Sequence, residues 1–254
     1  MRNLSIVITT YCRPVLLGET LQRLLVAAPA DSEIVVADDD PHRSAEALVT
    51  SLADARLRYH ANQERLGAVG NANDAIARAR GDWIHWCADD DYVLPGFYEA
   101  VAAGYGQIRI THYQNVDRAG KVVFQPAPIR TTAGLLDRVG WVGRLCLCNP
   151  THMVATVFRR ETFWRLGGFS PVLPKWHDWW FLLAASVRLG IAPWYDPRPL
   201  ARYREHPASL SGADRQVSQT EAKLFALHLR RLLDSTHVVS GTFACEPSPP
   251  PSAA

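Results

Sequence analysis

Asp82-Trp83-Ile84-His85-Trp86-Cys87-Ala88-Asp89-Asp90-Asp91 is a short, mostly apolar run that stops abruptly in three aspartates. Such a run, bounded by polar residues, reads as a strand covered on both faces, the signature of a parallel sheet. The pattern recurs upstream. Leu4-Ser5-Ile6-Val7-Ile8 is nearly continuous apolar chain, and Glu33-Ile34-Val35-Val36 ends in Asp38-Asp39-Asp40-Pro41. Leu57-Arg58-Tyr59-His60 supplies a further strand. Helix-period segments lie between. Arg13-Pro14 opens one, with Leu16, Leu17, Leu21, Leu24 and Leu25 on one side. Ser44 is the N-cap expected for a second, reaching about Leu52, and Ala72 to Ala79 forms a third stopped by Gly81. This βαβαβαβ order predicts an α/β fold with right-handed crossovers and a doubly wound, Rossmann-like, mostly parallel sheet.

Open sheets of this kind bind ligands outside the carboxyl ends of their strands. Two strands here end at that edge in Asp-Asp-Asp. The two acidic runs repel each other unless a cation or hydrogen-bond donors offset the charge. A cation-assisted site at this edge is therefore the first expectation.

Beyond residue 104 the pattern changes. Gln107 to Tyr113 and Lys121 to Phe124 read as strands joined by a turn at Ala119-Gly120. Residues 131–145 read as helical, Met153 to Phe158 as a strand, and Arg160 to Leu166 as a short helix ended by Gly167-Gly168. A tryptophan-rich helix from Trp176 to Leu189, two short strands over 192–204 and an amphipathic helix over 214–234 complete the reading. The expected division is 1–104, 105–212, a C-terminal helix within 213–240, and a disordered Pro/Ser-rich tail over 241–254.

Composition narrows the function classes. The chain has 254 residues, 27 basic and 25 acidic, for a net charge of +2. No concentrated basic face is implied, so nucleic acid is not an expected partner. All but three of the basic residues are arginine, a skew that a GC-rich genome explains. The longest apolar run, Trp179 to Tyr195, is broken by Arg188 and Gly190, and no transmembrane segment is expected. Five cysteines without repeated spacing imply reduced, mostly buried thiols in a soluble, cytoplasmic protein. Cys146 and Cys148 form a lone C-x-C, which is poor zinc evidence.

Five motifs in register then resemble the inverting family 2 glycosyltransferases, which have the GT-A fold. Ser5 to Pro14 is similar to the family's opening strand and turn, S-I-V-I-P-T-Y-N-R-P. Glu33 to Asp39 is similar to E-I-I-V-V-D-D, and Gly67 to Gly81, with Asn73-Asp74-Ala75-Ile76, to the G…R-N-x-G-I-x-x-A-x-G helix. Ala88-Asp89-Asp90-Asp91 through Pro95 stands where the family carries D-x-D-D-x-x-x-P. Phe158 to Phe169, His177-Asp178-Trp179 and Tyr203-Arg204-Glu205-His206 resemble the signatures of its acceptor half. The match runs from Leu4 to about Ser211.

The resemblance implies a nucleotide-sugar transferase, with residues 1–104 binding the donor and 105–212, a mixed α/β half, binding the acceptor. It implies inverting single displacement with Asp178 as the general base. Partial desolvation among Trp176, Trp179 and Trp180 would raise that carboxylate's basicity. It implies Asp90 as the ligand of a divalent cation, Mn2+ or Mg2+, and Asp89 at the ribose or metal. Asp39 would accept a hydrogen bond from the base, framed by Thr9 and Tyr11, while Asp38 ties the amides of its own turn. Tyr11 otherwise reads as a core aromatic. His206 would complete the metal or diphosphate site, or serve as a structural hydrogen-bonder. The donor is a UDP-, GDP- or dTDP-sugar and the acceptor a glycan, a lipid-linked sugar or a small molecule.

The sequence departs from the family in three places. Ala88 replaces the first aspartate, Ala72 stands where an arginine precedes the helix asparagine, and His177 replaces a glutamate. Arg13 or Arg65 is the candidate to supply the contact missing at Ala72. Two other readings are a sugar nucleotidyltransferase and a degenerate, non-catalytic nucleotide-binding module. The first wants a Gly-rich phosphate loop, which Thr9-Thr10-Tyr11-Cys12-Arg13 lacks. Ala88 and Ala72 are the support for the second.

Overall fold

The computed structural model describes residues 3–205 and 215–234. Strands β1 (Leu4–Thr10), β2 (Glu33–Asp38), β3 (Leu57–Ala61) and β4 (Trp83–Ala88) alternate with helices α1 (Pro14–Ala27), α2 (Glu46–Ser51) and α3 (Gly67–Arg78). All four strands pair in parallel, in the order β3-β2-β1-β4. The order reverses about β1, so the crevice for a ligand falls at the carboxyl ends of β1 and its neighbours.

Alternation along β1 explains the two cores. Ile6 and Ile8 point to one face and meet Leu17 and Leu21 of α1; Val7 points to the other and meets Val69 and Ile76 of α3. The sequence reads as continuous apolar chain because helices cover both faces.

Several expectations shift in detail. Ser44 is not the cap of α2; the Asp38 carboxylate takes the Ala45 N–H at 2.9 Å, and the helix begins at Glu46. Gly81 does not end α3, which stops at Arg78 with an extended Ala79. Its lack of a side chain is needed elsewhere: a Cβ there would lie 2.6 Å from the Asn3 carbonyl oxygen and the Ser5 amide of β1.

The remaining strands and helices are β5 (Tyr92–Val93), α4 (Phe97–Ala103), β6 (Ile108–Val116), β7 (Val122–Phe124), β8 (Gly134–Leu135), α5 (Arg138–Leu147), β9 (Thr156–Arg159), α6 (Arg160–Arg165), α7 (His177–Arg188), β10 (Trp194–Arg204) and α8 (Arg215–Asp234). They extend the same sheet as β4-β9-β6-β10-β5, with β7 on β6 and β8 on β10. β6 and β10 are parallel, whereas β9 runs antiparallel to both β4 and β6.

Four sequence expectations change here. Residues 131–145 are not one helix: β8 precedes α5, whose start is fixed by Asp137 accepting the Gly140 N–H at 2.7 Å. Met153–Ala155 is a 3-10 turn, and the strand begins at Thr156. The two strands expected over 192–204 are one, β10, whose ladder slips around Asp196, Pro199 and Ala201 because a proline donates no N–H. Of the described cysteines only Cys87 is buried; Cys12 and Cys148 are exposed and Cys146 is intermediate.

Helix α8 packs its Phe225 against Trp176, Trp179 and Trp180, with ring centroids 5.7, 4.3 and 5.8 Å away. Its Glu221, 2% exposed, accepts the Lys175 N–H at 2.8 Å. The C-terminal helix thus holds the segment that leads into α7.

Candidate active site

Two chain segments carry acids to the carboxyl edge of the sheet, and they are used differently. In the first, Asp38 is fully buried and accepts from the Asp40 and Ala45 amides and from the Tyr59 hydroxyl. This is the turn-tying role expected for it. Asp39 lies beside the start of α3. One of its oxygens accepts from Asn62 Nδ2 and the Leu66 amide, the other from the Gly67 amide, at 2.8–2.9 Å. A carboxylate offers about four acceptor positions, so Asp39 keeps room for one further donor.

The second acid run is the chemically loaded one. Thr10 donates its hydroxyl to Asp89 at 2.5 Å, and Arg13 reaches Asp89 at 2.6 Å and Asp90 at 3.0 Å. Burial pushes the Asp89 carboxyl up to about 7; Arg13 opposes the shift and Asp90 adds to it. Asp91 accepts the Arg204 N–H of β10 at 2.9 Å, and its carboxyl stands well above the ordinary range because it is buried and faces Asp90. Thr20 of α1 ties the Asp89 and Asp91 carbonyls.

Burial and mutual repulsion hold Asp89 and Asp91 toward their protonated forms despite Arg13 and Arg204, and a bound cation would displace those protons and leave the carboxylates ionised. Hard oxygen donors in that state suit Mg2+ or Mn2+, which take one or two carboxylates and complete their shell with phosphate oxygens and water. No cluster of three ligating side chains forms among the described residues. Asp90 and Asp91 both line the cavity and bring carboxylates to it. His206, the other expected ligand, lies outside the described residues, as does the tail over 241–254.

Asp90, Asp91, His177 and Asp178 line one cavity of about 160 Å3. The sheet edge thus meets the first turn of α7 at a common space. Asp178 is half-buried; Oδ1 accepts the Trp179 N–H at 2.7 Å and Oδ2 accepts from Asn149 Nδ2 at 3.2 Å. Its sequence neighbours do not surround it. Trp176, Trp179 and Trp180 face α8, because residues on an α-helix are rotated about 100° from one another. Asn149 and His152 face Asp178 instead, and burial pushes His152 down to about 4. The His152 ring stacks on Tyr203 at 4.0 Å.

Thr9 also lines the cavity and accepts from Trp86 Nε1 at 3.3 Å. Tyr11 is exposed rather than core, and Arg65 lies over its ring at 4.2 Å. Ala72 is fully buried, leaving no room for an arginine there. Arg13 and Arg65 instead sit at the acid run and at Tyr11. Sequence reasoning missed Asn149, which only the fold brings to Asp178. It also missed the clasp in which Asn73 exchanges two hydrogen bonds with the Phe169 backbone, tying α3 to the turn before α7.

Known proteins share this architecture. A TarS fragment of S. aureus, solved with UDP-GlcNAc, superposes with a TM-score of 0.68 at 17% identity, over 93% of this chain and 74% of its own. GalNAc-T7, solved with UDP, GalNAc and Mn2+, gives a TM-score of 0.65 at 14% identity, over 92% of this chain and 48% of its own. These likenesses show the GT-A fold. In sequence, a GalNAc(5)-diNAcBac-PP-undecaprenol beta-1,3-glucosyltransferase of Campylobacter jejuni is 32% identical over 38% of this chain and 32% of its own length. An uncharacterized glycosyltransferase of Haemophilus influenzae is 24% identical over 78% of this chain and 66% of its own. The matched region thus spans from about a third to just under two thirds of these curated relatives. Among the described residues no helix is long and apolar enough to cross a membrane. The sequence model of glycosyl transferase family 2 matches residues 5–166, more than half of the chain, and the chain belongs to that family.

Proposed function

We propose that the chain transfers a sugar from a nucleoside-diphosphate donor to an acceptor hydroxyl, by inverting single displacement. The observation that carries this reading is the single cavity lined by Asp90 from the sheet edge and Asp178 from α7. Residues 1–104 form the donor half and 105–212 the acceptor half. The base of the nucleotide lies near Asp39, Thr9 and Tyr11, and Asp89 lies toward its ribose. UDP is the favoured nucleotide, since a structural neighbour holds UDP-GlcNAc. The match to a glucosyltransferase named for an undecaprenol-linked substrate favours a lipid-linked acceptor.

Asp178 takes the proton of the acceptor hydroxyl as its oxygen attacks the anomeric carbon. Asn149 and the Trp179 amide hold the carboxylate in one orientation, which leaves its remaining acceptor positions for the incoming hydroxyl. Arg13 bridges Asp89 and Asp90 and offsets their mutual repulsion. Asp90 is the residue that would hold Mn2+ or Mg2+, which would supply positive charge to offset that of the leaving diphosphate.

Transfer from UDP-α-glucose or UDP-α-GlcNAc, followed by proton NMR of the product's anomeric signal, tests the reading. The β-linked product is expected. An α-linked product would contradict single displacement and Asp178's part in it.

A further inference from the structure

His177 begins α7, one residue before Asp178, and is 4% exposed. Its ring is held from three sides: edge-on to Trp86 at 5.4 Å, edge-on to Phe169 at 5.0 Å, and by Nδ1 at 2.9 Å from the Pro174 carbonyl oxygen. A carbonyl only accepts, so Nδ1 carries the proton and, in the neutral ring, Nε2 presents a lone pair. Nε2 is buried and has no hydrogen-bond partner among the described residues. An orphaned polar atom on a ring this firmly fixed is costly unless something fills it. The same residue lines the cavity shared by Asp90 and Asp178.

We propose that His177 Nε2 accepts a hydrogen bond from a hydroxyl of the donor's sugar ring, making His177 the residue by which the cleft selects among sugars. This rests on the nucleotide-sugar reading above. Depth separates the two substrates. His177 is nearly sealed, whereas Asp178 is half-buried, so His177 suits a substrate enclosed by the cleft and Asp178 one that approaches from solvent. The donor sugar, joined to a diphosphate at the neighbouring Asp90, is the one that reaches the floor. A hydroxyl suits the site, because it donates to a lone-pair acceptor without bringing charge into a space walled by Trp86. A site built to bond a hydroxyl rejects an analogue that lacks it or turns it away.

The test compares calorimetric affinities for UDP with those for UDP-glucose, UDP-galactose and UDP-GlcNAc. The proteins are the wild type, His177→Phe and His177→Gln, each with Mn2+ present. In the wild type one sugar nucleotide binds more tightly than UDP. In His177→Phe that advantage falls about tenfold while UDP affinity is unchanged; His177→Gln, which keeps an acceptor, restores part of it. An unchanged advantage in His177→Phe overturns the proposal. So does an equal loss of affinity for UDP itself, which marks a structural role. A wild type that binds UDP but none of the three sugars more tightly overturns the proposal and leaves the nucleotide site standing. A wild type that binds none of UDP, GDP and dTDP overturns both readings.

Discussion

Asp178→Asn is expected to lower kcat for sugar transfer about a thousandfold, within the range that general-base catalysis contributes, while nucleotide affinity stays unchanged. The substitution is nearly isosteric. An asparagine oxygen still accepts the Trp179 N–H that Oδ1 now takes, so the local contact within the first turn of α7 is kept. What disappears is the site that receives the acceptor's proton. Steady-state rates with a working donor and acceptor, together with calorimetric titration of UDP, separate the two quantities. An unchanged kcat would remove Asp178 from the catalytic assignment. Loss of both kcat and nucleotide affinity would mean that α7 had moved instead.

Acid is expected to weaken the fold through His85. This histidine of β4 is fully buried between the Tyr98 hydroxyl and the Val154 carbonyl, at 2.9 and 3.0 Å. Burial pushes its pKa down to about 4, against about 6.5 in an unfolded chain. Above about pH 6.5 the ring is neutral in both states, and its contribution is fully present. Between about 6.5 and about 4 the unfolded chain takes up a proton that the folded chain refuses, so stability falls with falling pH. The loss amounts to about 3 kcal/mol, a substantial fraction of a typical domain's stability. His152, also held near 4, acts in the same direction. Urea unfolding across this range, in the wild type and in His85→Gln, checks the assignment. With His152 left in place, the variant is expected to lose about half of the acid sensitivity that the two histidines confer, and an identical slope in both proteins would place it elsewhere.

How far the sequence revealed all this depended on whether the signal was local. Strands β1, β2 and β4 were legible because burial on both faces leaves unbroken apolar runs, and each ends where its acids or polar turn begin. The paired acid runs at one sheet edge followed from the topology rule alone. β8 was not legible, since two residues carry no periodicity and Gly134-Leu135 becomes a strand only by pairing with β10. Nor was β10 as one strand, because Pro197 and Pro199 read as breaks until neighbouring β6 spans them.

The same distinction divides the site. Asp89, Asp90 and Asp178 stand in local motifs and could be singled out from them. The partners that position them come from distant segments: Arg13 for Asp89 and Asp90, the Arg204 amide for Asp91, and Asn149 for Asp178. The tryptophans beside Asp178 misled because sequence proximity is not contact on a helix. They serve α8, and the polar side chain of Asn149 takes the place that they were expected to fill.

The central claim is that the acid-lined edge of the sheet binds a nucleoside diphosphate together with a divalent cation anchored by Asp90. Calorimetric titration of UDP, GDP and dTDP, with and without Mn2+, into the wild type and Asp90→Asn tests it most directly. One nucleotide, UDP, is expected to bind best and to gain affinity from Mn2+, and Asp90→Asn to abolish that gain. Weak binding of all three nucleotides, indifferent to Mn2+ and to the substitution, would contradict it.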